Sequence, residues 1–148
     1  CAAGKHLRNK NNKSGTSARN SCGKVQLSDV TIRITDYYRT IEEQNELYAQ
    51  RRTKPGKIVT WVKGGDSYHN YGLAMDIAFI DRNGNLLYDD KYYNILKSVY
   101  PNFNLEWGGE WQETPDKPHY QMTFNYSCSE LLKKYKNNEV DDNGYVIL

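Results

Sequence analysis

The sequence has little cysteine and no long apolar run. Its three cysteines, Cys1, Cys22 and Cys128, are too few and too scattered for a disulfide framework or for a zinc site built from paired thiolates. The most apolar stretch, residues 73–80, contains Asp76 and is far shorter than the roughly 20 residues that cross a bilayer. A disulfide-stabilised fold and a transmembrane helix are therefore not expected.

Net charge is also small, because 20 basic residues face 18 acidic ones, but the charges are unevenly distributed. Residues 1–28 hold six Lys or Arg and no acid, whereas residues 29–148 hold 14 basic and 18 acidic residues, a net charge of −4. A weakly acidic body lacks the basic surface on which binding to nucleic-acid phosphates depends. We therefore predict no nucleic-acid partner.

The first 28 residues differ in composition from the rest of the chain. They are rich in Asn, Lys, Ser and Gly without apolar periodicity, which predicts a basic, flexible segment over 1–28. Residues 29–148 then form one domain. The chain starts with Cys1-Ala-Ala and no Met, as in a bacterial lipoprotein whose signal peptide has been removed, so a lipid anchor at Cys1 is one interpretation and a fragment boundary is the other.

Alternating and helical patterns begin at residue 29. Val30, Ile32 and Ile34 alternate with polar residues, which predicts a strand with one buried face. Thr40 followed by Glu43 is a capping-box pattern and predicts a helix that ends near residue 51 or 52.

The remaining patterns predict a hairpin, two helices and a further strand. Residues 73–80 read as a second strand, and Asn83-Gly84 predicts a hairpin to Leu86-Leu87. A helix around residues 92–99 should end at Pro101, and residues 119–124 should form a strand. A capping box at Ser127 and Glu130 starts a last short helix, before a polar turn at 141–144 and an apolar end. The mixed order indicates an α+β domain with a small antiparallel sheet flanked by helices.

Two histidines and one strand carboxylate suggest a metal site. A catalytic zinc takes three nitrogen or oxygen ligands and leaves one position open, and His69, Asp76 and His119 supply such a set without cysteine. Asp76 lies in an apolar strand, where a metal or a cationic partner must offset its burial. Each residue alone could instead be a hydrogen-bonded structural group.

Several spaced motifs resemble one family. These are Ser67-x-His69-x-x-Gly72-x-Ala74-x-Asp76, Trp107-Gly-Gly-x-Trp111, Asp116-x-Pro118-His119, Tyr38-Arg39-Thr40 and the Arg52-Thr-Lys-Pro-Gly56 loop. In this order they are similar to bacterial cell-wall zinc peptidases of the VanY and L-alanyl-D-glutamate peptidase type. The resemblance implies a hedgehog/D,D-peptidase-like fold with zinc in a cleft over the sheet.

The resemblance also implies roles for individual residues. His69, Asp76 and His119 correspond to the zinc ligands, and Asp116 to the general base. Pro118 argues that Asp116 lies on a turn entering the His119 strand rather than on a helix. No substitution occurs at these positions, which favours an active enzyme.

Three further positions match the family but keep a structural alternative. Arg39 matches the arginine that stabilises an oxyanion or holds a substrate carboxylate, with a surface salt bridge as the alternative. Ser67 matches a substrate-binding hydroxyl, although a loop-capping serine fits equally well. Trp111 is assigned to a peptide groove, although aromatic residues near strands more often belong to the core.

The expected function is a zinc endopeptidase that cuts peptidoglycan stem peptides between L-alanine and D-glutamate, as a phage lysin or a wall-remodelling enzyme. A D-Ala-D-Ala carboxypeptidase, with Arg39 or Lys63 holding the free carboxylate, is one alternative. A non-catalytic, zinc-stabilised wall-binding module is the other. The expected location is the cell envelope or the medium, and we expect a monomer by default.

Overall fold

The structure is a computed structural model that describes residues 30–148. Both the predicted flexible segment 1–28 and Cys1 lie outside this range. The α-helices are α1 (Ile41–Ala49), α2 (Asp90–Leu96) and α3 (Cys128–Lys136). The strands are β1 (Val30–Asp36), β2 (Ala74–Asp81), β3 (Leu86–Leu87), β4 (Glu106–Trp107) and β5 (His119–Gln121). The predicted α+β class is confirmed.

The five strands form one sheet in the order β1-β2-β5-β4, with β3 paired to β2. β1 runs antiparallel to β2, and β3 returns antiparallel to β2 with Phe79 opposite Leu87. This confirms the hairpin, in which the Asp81 carboxylate accepts backbone hydrogen bonds from Asn83 and Asn85. The register of β1 shifts between Ile34 and Asp36, beside Asp76 of β2.

Both predicted capping boxes are present. The Thr40 hydroxyl accepts from the backbone N–H of Glu43, and the Glu43 carboxylate accepts from that of Thr40. Ser127 and Glu130 repeat the arrangement at the start of α3. Each box satisfies amide groups that a helix start would otherwise leave without a partner.

Three expectations about element boundaries and burial were wrong. Ile32 and Ile34 of β1 are 42% and 53% exposed, because β1 lies at the sheet edge. α2 ends at Leu96, before Pro101, which instead lies in the first positions of a separate 3₁₀ turn over Tyr100–Phe103. β5 ends at Gln121, and Phe124 has a φ of 51°, which a strand does not adopt.

The described residues divide into two compact units. The first comprises residues 30–36 and Met75–Tyr120. Its core is mainly aromatic and consists of Ile77, Phe79, Tyr93, Trp107 and Tyr120. Rings of this core stack or meet edge to face, for example Phe79 against Tyr93 with centroids 4.9 Å apart.

The second unit comprises Tyr37–Ala74 and Gln121–Leu148. Its core consists of Tyr71, Leu73, Leu131 and Val146. Polar side chains are buried here as well, and Gln44 is fully inaccessible to solvent. Near the chain end, a turn closes with the Gly144 amide donating to Asp141, as predicted.

Among residues 30–148, no helix combines the length and apolar character needed to span a membrane.

Candidate metal centre and active site

His69 is held by its backbone and by one ring nitrogen. It lies in a 3₁₀ turn over Tyr68–Tyr71, is 3% exposed, and its Nδ1 is 2.9 Å from the carbonyl oxygen of Tyr37. A carbonyl only accepts, so Nδ1 is the donor, and Nε2 is the ring nitrogen left for a metal. This is the usual way in which a protein orients an imidazole that ligates a metal.

Asp76 and His119 lie close together in the first unit. His119 Nδ1 is 3.2 Å from Asp76 Oδ1, and both side chains are largely shielded from solvent. Asp76 belongs to β2 and His119 begins β5, and the backbone N–H of Ile77 donates to the carbonyl of Pro118. Strand pairing therefore brings the carboxylate next to the imidazole.

The three predicted metal ligands meet. One ligand atom from each of His69, Asp76 and His119 lies within 4.8 Å of the others. Two imidazoles and one carboxylate, buried or half-buried, match the donor types that zinc takes in catalytic sites. The residues present can therefore hold a metal ion of this type.

Asp116 lies just before a turn that leads into His119, as Pro118 predicted. The backbone N–H of His119 donates to the Asp116 carbonyl, and that of Asp116 donates to the Gly108 carbonyl at 2.9 Å. A Cβ on Gly108 would lie 2.6 Å from the Asp116 carbonyl oxygen, so only glycine fits there. The side chain of Asp116 is exposed and can reach solvent.

The Trp-Gly-Gly motif thus supports the Asp116 turn. Trp107 is a core residue, and its Nε1 donates to the carbonyl of Lys117 at 2.7 Å. This agrees with the core interpretation of aromatic residues near strands. Trp111 differs, because it is 37% exposed and its ring centroid is 5.1 Å from that of His119.

Arg39 is positioned by a residue that the sequence patterns did not single out. Its Nη1 donates to Gln44 Oε1 at 2.6 Å, while Gln44 Nε2 donates to the Val62 carbonyl and the Thr60 hydroxyl at 2.8 and 3.0 Å. Because the Val62 carbonyl only accepts and the guanidinium only donates, the amide has one orientation. The available signal was its spacing, three residues after Ile41 and three before Leu47, which places it on the apolar face of the helix.

A second missed residue is Asn70, which is buried beside His69. Its Nδ2 donates to the carbonyls of Arg39 and Thr40, and its Oδ1 accepts from the backbone N–H of Gly65. The Arg39 N–H in turn donates to the His69 carbonyl at 3.1 Å. Asn70 therefore links the segment that carries Arg39 to the one that carries His69.

Ser67 is half-buried at the N-terminal end of the same 3₁₀ turn. Its side chain makes no capping hydrogen bond to that turn. Its carbonyl accepts from Asn70, which fixes the backbone but leaves the hydroxyl for other partners.

Comparison with known proteins finds similarity to peptidases over part of the chain. Residues 61–122 match the M15 peptidase model described as D-alanyl-D-alanine carboxypeptidase. Over 102 residues, 63% of this chain, the sequence is 39% identical to the peptidoglycan L-alanyl-D-glutamate endopeptidase CwlK of Bacillus subtilis. The chain spans 61% of the length of that relative.

Two solved structures resemble the chain more distantly. The L-Ala D-Glu endopeptidase ChiX of Serratia marcescens aligns with a TM-score of 0.46 at 25% identity, covering 64% of this chain and 68% of that one. The second structure is a mutant of the vancomycin-resistance D,D-pentapeptidase VanY from a VanB-type cassette, in complex with Zn(II). It aligns with a TM-score of 0.42 at 22% identity and covers 72% of this chain and 68% of that one. The resemblance stated from the motifs is confirmed, because residues 61–122, which hold His69, Asp76, Asp116 and His119, match this peptidase model.

Proposed function

We propose that the protein is a zinc peptidase that hydrolyses peptidoglycan stem peptides between L-alanine and D-glutamate. The observation that carries the proposal is the meeting of His69, Asp76 and His119 within a segment that matches a peptidase family. The choice of bond is supported by the 39% identity to an L-alanyl-D-glutamate endopeptidase. A location in the cell envelope or outside the cell follows from this substrate.

His69, Asp76 and His119 would hold the zinc ion. When bound, zinc acts as a Lewis acid toward a carbonyl group and makes water more acidic. The protein supplies the proton transfers. The Asp116 carboxylate accepts a proton from the attacking water and returns it to the departing amine, so that one group serves as base and then as acid.

Arg39 is the cation of the proposed mechanism. Its guanidinium is held by Gln44 and would donate to the oxygen that gains negative charge, or to a substrate carboxylate. Ser67 would offer its hydroxyl to the substrate backbone, and the exposed ring of Trp111 would line the groove. Fixing these groups before the reaction lowers the cost of reorganisation in the transition state.

A second candidate is a D-Ala-D-Ala carboxypeptidase, favoured by the description of the matching family model. It needs a cation for the terminal carboxylate of its substrate, a role for Arg39 or Lys63. The two activities differ in their products, because the endopeptidase creates a new D-glutamate amine whereas the carboxypeptidase releases D-alanine.

Mass spectrometry of digested peptidoglycan fragments tests the proposal. We expect new L-alanine and D-glutamate ends with the wild-type protein, and none after chelation or with Asp116→Ala. Release of D-alanine alone would identify the carboxypeptidase. Zinc binding without any product would indicate a wall-binding module instead.

A further inference from the structure

One segment concentrates positive charge in an otherwise acidic body. Residues 47–65 hold five basic residues and no acidic one, although residues 29–148 as a whole carry a net charge of −4. The five are Arg51, Arg52, Lys54, Lys57 and Lys63. We call residues 51–63 the basic loop.

The basic loop also presents apolar side chains to solvent. Trp61 is 70% exposed, Val59 is 56% exposed, and Ile58 and Val62 are 37% and 40% exposed. Clusters of exposed apolar side chains mark interaction surfaces, and the combination with unneutralised cations restricts the partner to one with negative charge. Within the described part of the chain, no salt bridge involves Lys57 or Lys63.

The loop is held in place although it contains almost no regular secondary structure. Arg52 donates to the carbonyls of Tyr48 and Thr60, and its guanidinium lies over the Tyr48 ring at 3.8 Å and near the Trp61 ring at 5.7 Å. The Gln44 side chain donates to the Thr60 hydroxyl and to the Val62 carbonyl. An exposed tryptophan held in this way loses little entropy on binding.

We propose that the basic loop is a second contact surface for peptidoglycan, and that it binds carboxylate-bearing strands of the wall next to the strand being cut. This inference rests on the proposed function for the identity of its partner. Lys57 and Lys63 fit the carboxylates of stem peptides, and Trp61 fits the apolar faces of sugar rings or peptides. An anionic bilayer is less suited, because membrane-surface binding favours an amphipathic helix, which residues 55–63 do not form.

The position of the loop supports a link to the site. Gln44 contacts both the loop and Arg39, and Gly64, directly after the loop, donates its N–H to Asn45 of α1 at 2.9 Å. Within the second unit, the proposed wall surface and the proposed substrate-binding arginine therefore share α1 as their support.

Sedimentation with purified wall sacculi, stripped of accessory anionic polymers, tests the inference. The full chain carries Asp116→Ala throughout, so that the wall is not digested. We expect Lys57→Gln combined with Trp61→Ser to weaken binding about tenfold, or about 1.4 kcal/mol, because a charge contact and a ring contact are lost together. Lys133→Gln combined with Lys136→Gln, which removes two charges at exposed positions of α3, should leave binding within twofold.

Two further experiments distinguish a loss of the binding surface from a folding defect and from a loss of the proposed activity. Lys57→Arg combined with Trp61→Phe keeps the charge and a ring, and should restore most of the binding. With Asp116 intact, the first double variant should lose more activity on intact sacculi than on a soluble stem peptide. This comparison tests wall binding by the loop separately from hydrolysis of the peptide bond.

An equal loss in the loop and α3 variants, or no loss in either, would overturn the inference. Stronger sedimentation with anionic phospholipid vesicles than with sacculi would also overturn it, in favour of a membrane. If no hydrolysis is found but the loop variants still lose wall binding, the surface stands and the proposed function fails.

Discussion

The two compact units are stabilised by different means. In the first, buried rings pack against one another, with Phe79 against Tyr93 and Trp107 stacked near Tyr93 and Tyr120. In the second, buried polar side chains hold the backbone through hydrogen bonds, as those of Gln44, Asn70 and Tyr71 do. The hydrophobic burial of rings is not directional, whereas hydrogen bonds fix the position of each partner.

The difference matters for how each unit presents its functional residues. The first unit places Asp76 and His119 by strand pairing above an aromatic core and holds the Asp116 turn with Trp107 and Gly108. The second unit places Arg39 and His69 on irregular backbone, where hydrogen bonds from buried side chains replace those of regular structure. Such backbone groups need partners when they are buried.

The largest expected effect on stability is in the aromatic core. Phe79→Ala removes a fully buried ring that contacts Tyr92 and Tyr93, and should lower the free energy of unfolding by about 3–5 kcal/mol. Chemical denaturation measures the loss. Phe103→Ala, at a position 48% exposed, is the matched control and should change it by less than about 0.5 kcal/mol. Similar losses in both variants would contradict the assigned core.

A smaller loss of stability is expected in the polar unit, together with a loss of activity. Gln44→Leu has nearly the same size but cannot bond Arg39 or Val62, and should cost about 1–3 kcal/mol. Gln44→Glu keeps an acceptor for Arg39, so it should retain more kcat than Gln44→Leu. Denaturation and stem-peptide kinetics measure both effects.

Gln112→Leu changes an exposed glutamine and serves as the control for that experiment. It should leave stability and kcat unchanged. Equal kcat values for Gln44→Leu and Gln44→Glu would show that the contact with Arg39 does not matter for the reaction.

One identical change should have opposite consequences in the two units. Tyr71 donates its hydroxyl hydrogen to the Gly65 carbonyl at 2.7 Å, so Tyr71→Phe should cost about 1 kcal/mol. The Tyr120 hydroxyl is buried and has no hydrogen-bond partner among the described residues, so Tyr120→Phe should be neutral or stabilising. Thermal unfolding of the two variants compares them, and a larger loss for Tyr120→Phe would reverse the contrast.

The smallest expected effect is a loss of stability through tyrosine ionisation, which is absent at neutral pH and occurs only in alkaline solution. Burial raises the pKa of Tyr38, Tyr71, Tyr93 and Tyr120, and burial together with the hydrogen bond to Glu110 raises the pKa of Tyr100 to about 12. A raised tyrosine pKa leaves stability intact below pH 10 and lowers it as the pH rises toward 12. Denaturation at a series of pH values should show a plateau and then a decline. A decline that starts well below pH 10 would point to other groups.

Local patterns predicted local structure well. The capping boxes at Thr40 and Ser127 and the Asn83-Gly84 hairpin depend on residues a few positions apart, and all three are present. The exposure of Ile32 depends on the place of β1 at the sheet edge, which alternation within one strand does not reveal.

Site residues that belong to sequence motifs were predictable, whereas those defined by contacts between distant parts of the chain were not. His69, Asp76 and His119 came from spaced motifs whose order matches a family, and their side chains meet. Gln44 was missed because its partners Thr60 and Val62 lie 16 and 18 residues away. A glutamine on a helix reads as a surface residue until the fold buries it.

Zinc titration by isothermal calorimetry tests the central claim most directly. We predict one zinc ion per chain for the wild-type protein and for Asp116→Ala, and a loss of binding of at least about 100-fold in His69→Ala, Asp76→Ala and His119→Ala. Far-ultraviolet circular dichroism would confirm that each variant is folded. Unchanged zinc binding in any of the three ligand variants would contradict the assignment of the metal site.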